Sequence, residues 1–246
     1  MATPARRTRP RVATRLAGRI DAVLLDVGGV FVLPDHAQVV AAGAGAGIDM
    51  DPGLLDAAHY AAIAAWDRST DVELWRPYVT AYFEAAGVPA ARLDGALPAL
   101  VAAFRSTIWS RPVAGAIAAL RALARVGIPI GIVSNADGRV EPLLRGLGIC
   151  QVGTGPGVEV GIVVDSTVVG HEKPDPRIFE IALRALGVAP ERTIHVGDSA
   201  RADVAGAIAA GVTPVHLDPY RLCDGGGHAH VMGLADVVPL VTAAGR

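Results

Sequence analysis

The chain repeats one local pattern, in which a short apolar run ends at a polar residue and a helical stretch follows. Five runs have this form, at residues 22–25, 129–133, 161–164, 193–196 and 213–217. Helical stretches lie at residues 115–125, 139–147, 177–186 and 202–210. Strands that are separated by one helix each indicate crossover units. The sequence therefore predicts an α/β fold with a parallel sheet.

Residues 35–110 have a different pattern, with no good strand. Helix-like spacing of apolar residues covers 51–67, 71–86 and 91–108, and most tyrosines and tryptophans lie here. We expect an all-helical domain at 35–110, inserted between core segments 20–34 and 111–246. The low-complexity stretch 41–47, "AAGAGAG", is expected to be a flexible joint or a weak helix end.

Composition narrows the classes of partner and compartment. Residues 1–19 contain six arginines and no acid, and we expect a disordered basic tail rather than an export signal. The net charge of −2 gives no general attraction to nucleic acid or to an anionic membrane. No apolar run is long enough to span a bilayer. Two cysteines far apart in sequence, Cys150 and Cys223, fit a reducing compartment, so we expect a cytoplasmic protein.

Polar side chains follow three of the predicted strands directly. Asp26 follows the first strand, Ser134 and Asn135 follow the second, and Asp198 follows the fourth. Ligands of open parallel sheets bind outside the carboxyl ends of the strands. Any one of these residues alone is more often a helix cap. Together they predict that Asp26, Ser134 and Asp198 meet in one crevice.

Lys173 lies in the polar loop "GHEKPDPRIF" just before a helix, and it is the only lysine, since the other 21 basic residues are arginines. A lysine ammonium is a compact charge that can reach a phosphoryl oxygen, whereas a guanidinium is a wider planar fork. A surface lysine without a role would be the usual interpretation. Its position in this loop favours a functional one.

These segments together resemble the four ordered motifs of the haloacid dehalogenase-like (HAD) hydrolase superfamily. The matching segments are "LLDVGGV" with Asp26, "IGIVSNADG" with Ser134, "HEKPDPRIF" with Lys173, and "VGDSARADVAGA" with Asp198 and Asp203. The resemblance covers roughly residues 20–217. It implies a Rossmann-like core, and the helices between the first two motifs resemble the helical cap of one large subclass.

The resemblance also implies a chemistry. Most members are Mg²⁺-dependent enzymes that act on small phosphorylated substrates through an aspartyl-phosphate, which here would form on Asp26. By the same resemblance, Lys173 neutralises charge, while Ser134 and Asn135 belong to the phosphate-binding motif. The resemblance places Mg²⁺ on Asp26, the carbonyl of Gly28, Asp198 and Asp203, the last as a direct ligand or as the holder of a metal-bound water. A carboxylate nucleophile divides one difficult hydrolysis into two easier steps.

Gly28 departs from this pattern, because typical family phosphatases have a second aspartate there that protonates the leaving oxygen. Loss of a general acid costs ~10²–10⁴ in rate. Asp35 and His36, just beyond the flap-like run 30–33, are candidate replacements, although a turn or capping role is the more usual one for such residues.

Three functions stay open at this point. The first is a phosphatase that uses another acid or a substrate with a good leaving group. The second is a metal-free dehalogenase-type hydrolase, which is disfavoured because the chain retains the acidic motif "GDSARAD" that would hold Mg²⁺. Phosphonate cleavage, which in the resembling enzymes uses a lysine of the cap, is disfavoured because residues 35–110 contain no lysine. The third is a degenerate protein that binds a phosphorylated ligand or a protein partner without turnover.

One further group of residues near the C-terminus could bind a soft metal: His216, Cys223, His228 and His230. Their spacing matches no standard zinc pattern. The glycine run 225–227 is typical of a mobile loop. From the sequence we therefore do not expect a metal site there.

Overall fold

A computed structural model describes residue 16, residues 18–106 and residues 108–243. The predicted basic tail, 1–19, thus lies outside the described residues except for three positions. Within the described part, no helix is both long enough and apolar enough to cross a membrane.

The centre of the fold is a six-stranded sheet in which every neighbouring pair is parallel. The strand order is β10-β9-β8-β1-β4-β7. The described residues form ten strands: β1 (Ala22–Leu25), β2 (Val32–Pro34), β3 (Trp109–Pro112), β4 (Ile130–Ser134), β5 (Cys150–Val152), β6 (Val158–Val160), β7 (Ile162–Asp165), β8 (Thr193–Gly197), β9 (Thr213–Leu217) and β10 (Ala229–Val231). The predicted α/β fold with a parallel sheet is confirmed.

Strand β1 lies inside the sheet, between β8 and β4, and its four residues are fully buried. An apolar run buried on both faces is typical of parallel sheets that helices cover. The register pairs Leu25 with Ile132 on one side and with Val196 on the other. The three strands therefore end at one level, which places the residues that follow them side by side.

The helices are α1 (His36–Gly45), α2 (Leu55–Arg68), α3 (Trp75–Ala85), α4 (Leu97–Phe104), α5 (Ala116–Ala124), α6 (Val140–Gly146), α7 (Ser166–Val169), α8 (Pro176–Leu186), α9 (Ala205–Ala209) and α10 (Val237–Ala243). Helix α8 shows why the boundaries fall where they do. Asp175 caps its start by accepting from the Arg177 N–H, and Pro176 occupies the first turn. Gly187, in the left-handed conformation, ends it.

Helices α1 to α4 lie between β2 and β3 in the sequence, and we call them the cap. Their apolar side chains form a separate core around Tyr78, Tyr82, Phe83 and Phe104. The strands β2 and β3 pair antiparallel and carry the chain into the cap and back. Since β3 begins at Trp109, it crosses the predicted domain limit at residue 110, so 35–110 stays a proposal for the domain boundaries.

Two sequence expectations within the cap need adjustment. Helix α1 is additional to the predicted helices, and the low-complexity stretch 41–47 forms its end, which agrees with a weak helix end. The expected helix at 91–108 is shorter, because a 3₁₀ turn at Ala90–Arg92 precedes it and Pro98 lies in the first turn of α4.

Candidate active site

The carboxyl ends of β1, β4 and β8 bring the predicted site residues together. Asp26 follows β1, Ser134 ends β4 and Asp198 follows β8, and each of these residues is buried. One carboxylate oxygen from each of Asp26, Asp198 and Asp203 lies within 4.8 Å of the other two. The strand ends therefore bring Asp26 and Asp198 together, and Ser134 lies at the end of the neighbouring strand β4.

Lys173 joins two of these carboxylates. Its Nζ lies 2.7 Å from Asp26 Oδ1 and 2.7 Å from Asp203 Oδ1, and it also donates to the carbonyl oxygen of Val133 at 3.1 Å. Burial alone would lower the pKa of Lys173, but the charges of Asp203 and Asp26 outweigh burial and raise it. The only lysine is therefore a fully charged, buried counter-ion to the predicted nucleophile.

Asn135 holds the Lys173 loop in place. Its Nδ2 donates to the Lys173 carbonyl at 2.9 Å, and its Oδ1 accepts from the Lys173 N–H at 2.7 Å. The side-chain amide thus pairs with the main chain of the residue whose ammonium reaches Asp26. The structure gives Asn135 a positioning contact, and its predicted phosphate contact stays a prediction.

Asp203 lies on a π-helical turn, Ala200–Val204, that precedes α9. Its Oδ1 receives Lys173 Nζ and also His195 Nε2 at 2.8 Å, and its Oδ2 accepts from the Ser199 N–H at 3.0 Å. Burial raises the pKa of this carboxyl, but Lys173 and His195 more than offset burial and lower it overall. Asp203 is therefore an ionised carboxylate with both oxygens already in hydrogen bonds.

Asp198 has a different electrostatic environment. Burial raises the pKa of its carboxyl well above the ordinary value, and the neighbouring charges of Asp26, Asp203 and Asp67 raise it further. Three buried carboxylates face one lysine here, so negative charge is left over. Oxygen ligands with excess negative charge are what a hard divalent cation such as Mg²⁺ prefers, and the residues fit that ion.

A cap histidine reaches this carboxylate, which the sequence did not predict. His59 Nε2 lies 2.8 Å from Asp198 Oδ2, and its Nδ1 lies 2.8 Å from the Tyr78 hydroxyl. Burial lowers the pKa of His59 to about 3, so the ring is neutral. With Nε2–H donating to Asp198, Nδ1 accepts from Tyr78. The only sequence signal was a histidine within the apolar stretch "DAAHYAAIAAWD".

A second cap residue fixes the turn that carries Asp203. The Asp67 carboxylate accepts from Ser199 Oγ at 2.7 Å, from the Ala200 N–H at 2.7 Å and from the Arg201 N–H at 3.0 Å. Arg201 in turn stacks over the Trp66 ring, 4.8 Å from its centroid. The cap is thus tied to the loop that follows Asp198, a contact for which the sequence carries no signal.

The two glycines after Asp26 have different constraints. Gly29 has φ +65°, and a Cβ there would lie 2.1 Å from Asp198 Oδ2, so this position excludes a side chain. A Cβ at Gly28 would meet only Asp26 Oδ2 and the Trp109 ring, both at 3.9 Å. Its carbonyl accepts from the Val30 N–H at 2.7 Å. The turn therefore leaves room for the side chain that position 28 lacks.

The candidate replacement acids have structural contacts of their own. Asp35 caps α1 by accepting from the Gln38 N–H at 3.0 Å. His36 Nε2 lies 2.8 Å from Asp56 Oδ1, and Asp56 also pairs with Arg111. Asp35 therefore has the capping role that is usual for such residues, whereas His36 pairs with an acid in the first turn of α2.

The C-terminal group of possible soft-metal ligands does converge. One ligand atom each from His216, Cys223, His228 and His230 lies within 4.8 Å of the other three. The spacing of these residues along the chain did not predict a metal site, because spacing does not show which strands pair.

Comparisons with known proteins identify the family. The family model of haloacid dehalogenase-like hydrolases matches residues 20–211. Haloacid dehalogenase-like hydrolase domain-containing protein 3 from Mus musculus is 35% identical over 144 residues, which cover 58% of this chain and only 55% of the mouse protein. The phosphoserine phosphatase of Thermus thermophilus is 49% identical over 67 residues, 27% of each chain.

The structure of the HAD hydrolase YfnB from Bacillus subtilis bound to magnesium superimposes with a TM-score of 0.59, at 19% identity, over 89% of this chain and 97% of that one. At this identity the likeness concerns the fold. The family model's match over residues 20–211, which is more than half of the chain, shows that the chain belongs to the haloacid dehalogenase-like hydrolases.

Proposed function

We propose that the protein is a Mg²⁺-dependent phosphatase of a small phosphorylated metabolite, with Asp26 as the nucleophile. The observation that carries the proposal is the contact of Lys173 Nζ with Asp26 Oδ1 at 2.7 Å, inside a ring of buried acids. Similarity to a phosphoserine phosphatase supports the substrate class. The free thiols of Cys150 and Cys223 support a cytoplasmic location.

In the first step a carboxylate oxygen of Asp26 attacks phosphorus, and the bond from phosphorus to the leaving oxygen breaks. Water then attacks the phosphorus of the aspartyl-phosphate, which releases inorganic phosphate and regenerates the Asp26 carboxylate. Lys173 stays between Asp26 and Asp203 and offsets the charge that collects around the phosphoryl group. Ser134, at the end of β4, is the proposed donor to a phosphoryl oxygen.

The residues that would hold Mg²⁺ are Asp26, Asp198 and the carbonyl of Gly28. Mg²⁺ supplies positive charge that lets a carboxylate approach a phosphate dianion. Since both oxygens of Asp203 already accept hydrogen bonds, we assign Asp203 to the surroundings of the ion, where it orients Lys173 and His195. His59 orients Asp198 from the cap in the same way.

Gly28 leaves the proposed phosphatase without its usual proton donor. The leaving oxygen must then depart with much of its negative charge. We therefore propose a preference for phosphates with good leaving groups, such as aryl or acyl phosphates.

The metal-free dehalogenase is the competing function, and one experiment separates the two. Aryl phosphate and a 2-haloacid are each offered to the protein with Mg²⁺ or with excess chelator, and phosphate and halide are measured. We expect phosphate release that chelator abolishes and Mg²⁺ restores. Halide release in chelator would replace the proposal with a dehalogenase. Tight phosphate binding without release of either product would favour the degenerate protein.

A further inference from the structure

The convergence of His216, Cys223, His228 and His230 follows from strand pairing. Strands β9 and β10 run parallel, and their register pairs His216 with His230. Side chains at paired positions of neighbouring strands point to the same face. The two rings accordingly lie with their centroids 5.3 Å apart, and both residues are buried.

The loop between these strands supplies the other two side chains. Asp218 fixes its beginning, because its carboxylate accepts from the main-chain N–H of Leu222 at 2.8 Å and of Cys223 at 3.1 Å. The His228 ring stacks on His230 with a centroid distance of 4.5 Å. The loop thus returns Cys223 and His228 to the histidines of the two strands.

The distances between ligand atoms match one metal geometry. His228 Nε2 lies 3.3 Å from His216 Nδ1 and 3.7 Å from Cys223 Sγ. Zn²⁺ bonds are about 2.0–2.1 Å long to nitrogen and about 2.3 Å long to sulfur. In a tetrahedral site, such bonds place two ligand nitrogens about 3.3 Å apart, and a nitrogen and a sulfur about 3.6 Å apart. Both observed distances agree with the edges of such a tetrahedron.

The hydrogen bonds around the cluster leave ligand atoms available for a cation. His216 Nε2 donates to the Asp198 carbonyl at 2.8 Å, so Nδ1, which faces the cluster, holds a lone pair. Neither ring nitrogen of the buried His230 has a hydrogen-bond partner among the described residues, and its Nδ1 lies 3.7 Å from Asp218 Oδ2, beyond hydrogen-bond distance. A buried polar group without a partner costs stability, and it indicates that a ligand completes the site.

From these contacts we infer that His216, Cys223, His228 and His230 bind one Zn²⁺ ion in a closed, four-ligand site. Three imidazoles and one thiolate are ligands of this softer ion, whereas the Asp26 site offers only oxygens. The Gly225 N–H donates to Cys223 Sγ at 3.3 Å, which suits a thiolate. Because His216 Nε2 also donates to the Asp198 carbonyl, the ion would fix β9, β10 and the loop between them against the loop that carries Asp198.

The test uses the full chain with Co²⁺ as a spectroscopic substitute for Zn²⁺. We expect one metal ion per chain, the strong visible absorption of tetrahedral Co²⁺, and a thiolate-to-Co²⁺ charge-transfer band. Cys223→Ser should remove that band. Its zinc affinity should fall by more than the roughly 10–100-fold that is lost when a residue that only hydrogen-bonds to a metal ligand is removed. Cys150→Ala is the matched control for a cysteine outside the cluster, and Asp26→Asn should keep the band.

A measurement on the unaltered chain covers the case in which Cys223→Ser does not fold. Zn²⁺ should slow alkylation of Cys223 in the native protein, while Mg²⁺ should leave its rate unchanged. A folded protein that gives no thiolate–Co²⁺ band, or whose Cys223 reacts equally fast with and without Zn²⁺, would overturn the site. Neither readout requires phosphatase activity, so failure of the proposed function would not affect the result.

Discussion

His59 in the cap donates from Nε2 to Asp198 Oδ2, in the core, over 2.8 Å. Asp198 is the carboxylate whose pKa burial and three neighbouring acids raise most clearly. A neutral N–H donor from the opposite domain therefore stabilises the ionised form that a cation needs. This contact links the cap to the proposed metal site.

Replacing His59 should weaken Mg²⁺ binding. His59→Phe removes the donor to Asp198, and we expect the Mg²⁺ concentration for half-maximal activity to rise by ~10–100-fold. His59→Gln, which keeps an N–H donor, should recover part of the loss. The measurement is a Mg²⁺ titration of turnover, with His36→Phe as the control in the same domain. An unchanged Mg²⁺ requirement in His59→Phe would contradict the assigned contact.

Gly28→Asp should change which phosphates are cleaved well. The turn has room for a Cβ at this position, with its nearest neighbours at 3.9 Å. An added carboxyl near the scissile oxygen should raise turnover of alkyl phosphates by roughly tenfold or more, up to the ~10²–10⁴-fold that a well-positioned acid contributes. Aryl phosphates should gain less, so the dependence on leaving-group pKa should flatten.

The matched control is Gly28→Asn, which has the same size but transfers no proton. Equal rates for Gly28→Asp and Gly28→Asn would show that the new carboxyl is not an acid. A wild-type enzyme without any leaving-group preference would show instead that another acid is present, and Asp35 and His36 would be the first residues to vary.

Lys173→Met should cost both activity and stability. The change leaves Asp26 and Asp203 buried without their shared cation, and breaking a buried ion pair in this way costs about 3–5 kcal/mol of unfolding free energy. Lys173→Arg should not restore activity, because a planar guanidinium replaces a compact ammonium. Chemical denaturation and turnover are the measurements, and the exposed Arg121→Met is the control. Near-normal turnover in Lys173→Met would contradict the role of Lys173 as the counter-ion of Asp26 and Asp203.

Asp67→Ala should loosen the loop that carries Asp203. It leaves the N–H groups of Ala200 and Arg201 without their acceptor, at a cost of about 1–3 kcal/mol of unfolding free energy. Asp67→Asn keeps one acceptor oxygen and should lose less. Denaturation curves for both variants, beside the exposed Asp49→Ala, test this. Equal stability of Asp67→Ala and Asp49→Ala would show that the cap does not clamp the loop.

The sequence predicted the parallel sheet because five of its six strands are distinct apolar runs. It also predicted that Asp26, Ser134 and Asp198 lie at one edge of the sheet, because the carboxyl ends of parallel strands share that edge. Lys173 could be found because it is the only lysine. Each of these signals is local in the chain or follows from the general geometry of the sheet.

What the sequence did not show depends on contacts between distant segments. His59 and Asp67 reach the core only because the cap folds back on it, and helical periodicity does not specify that docking. The pairing of His216 with His230 depends on β10, a three-residue strand too short to predict. Spacing along the chain therefore showed no zinc pattern although the side chains converge.

The central claim is that Asp26 is the nucleophile, and Asp26→Asn tests it most directly. The amide is nearly the same size as the carboxylate but is a poor nucleophile. The variant should fold like the wild type, and its Mg²⁺-dependent turnover of an aryl phosphate should fall by at least ~10³-fold, within the range that loss of a catalytic nucleophile produces. Asp49→Asn, the same change at an exposed position, should retain full turnover. A well-folded Asp26→Asn protein whose turnover stays within tenfold of the wild type would contradict the account.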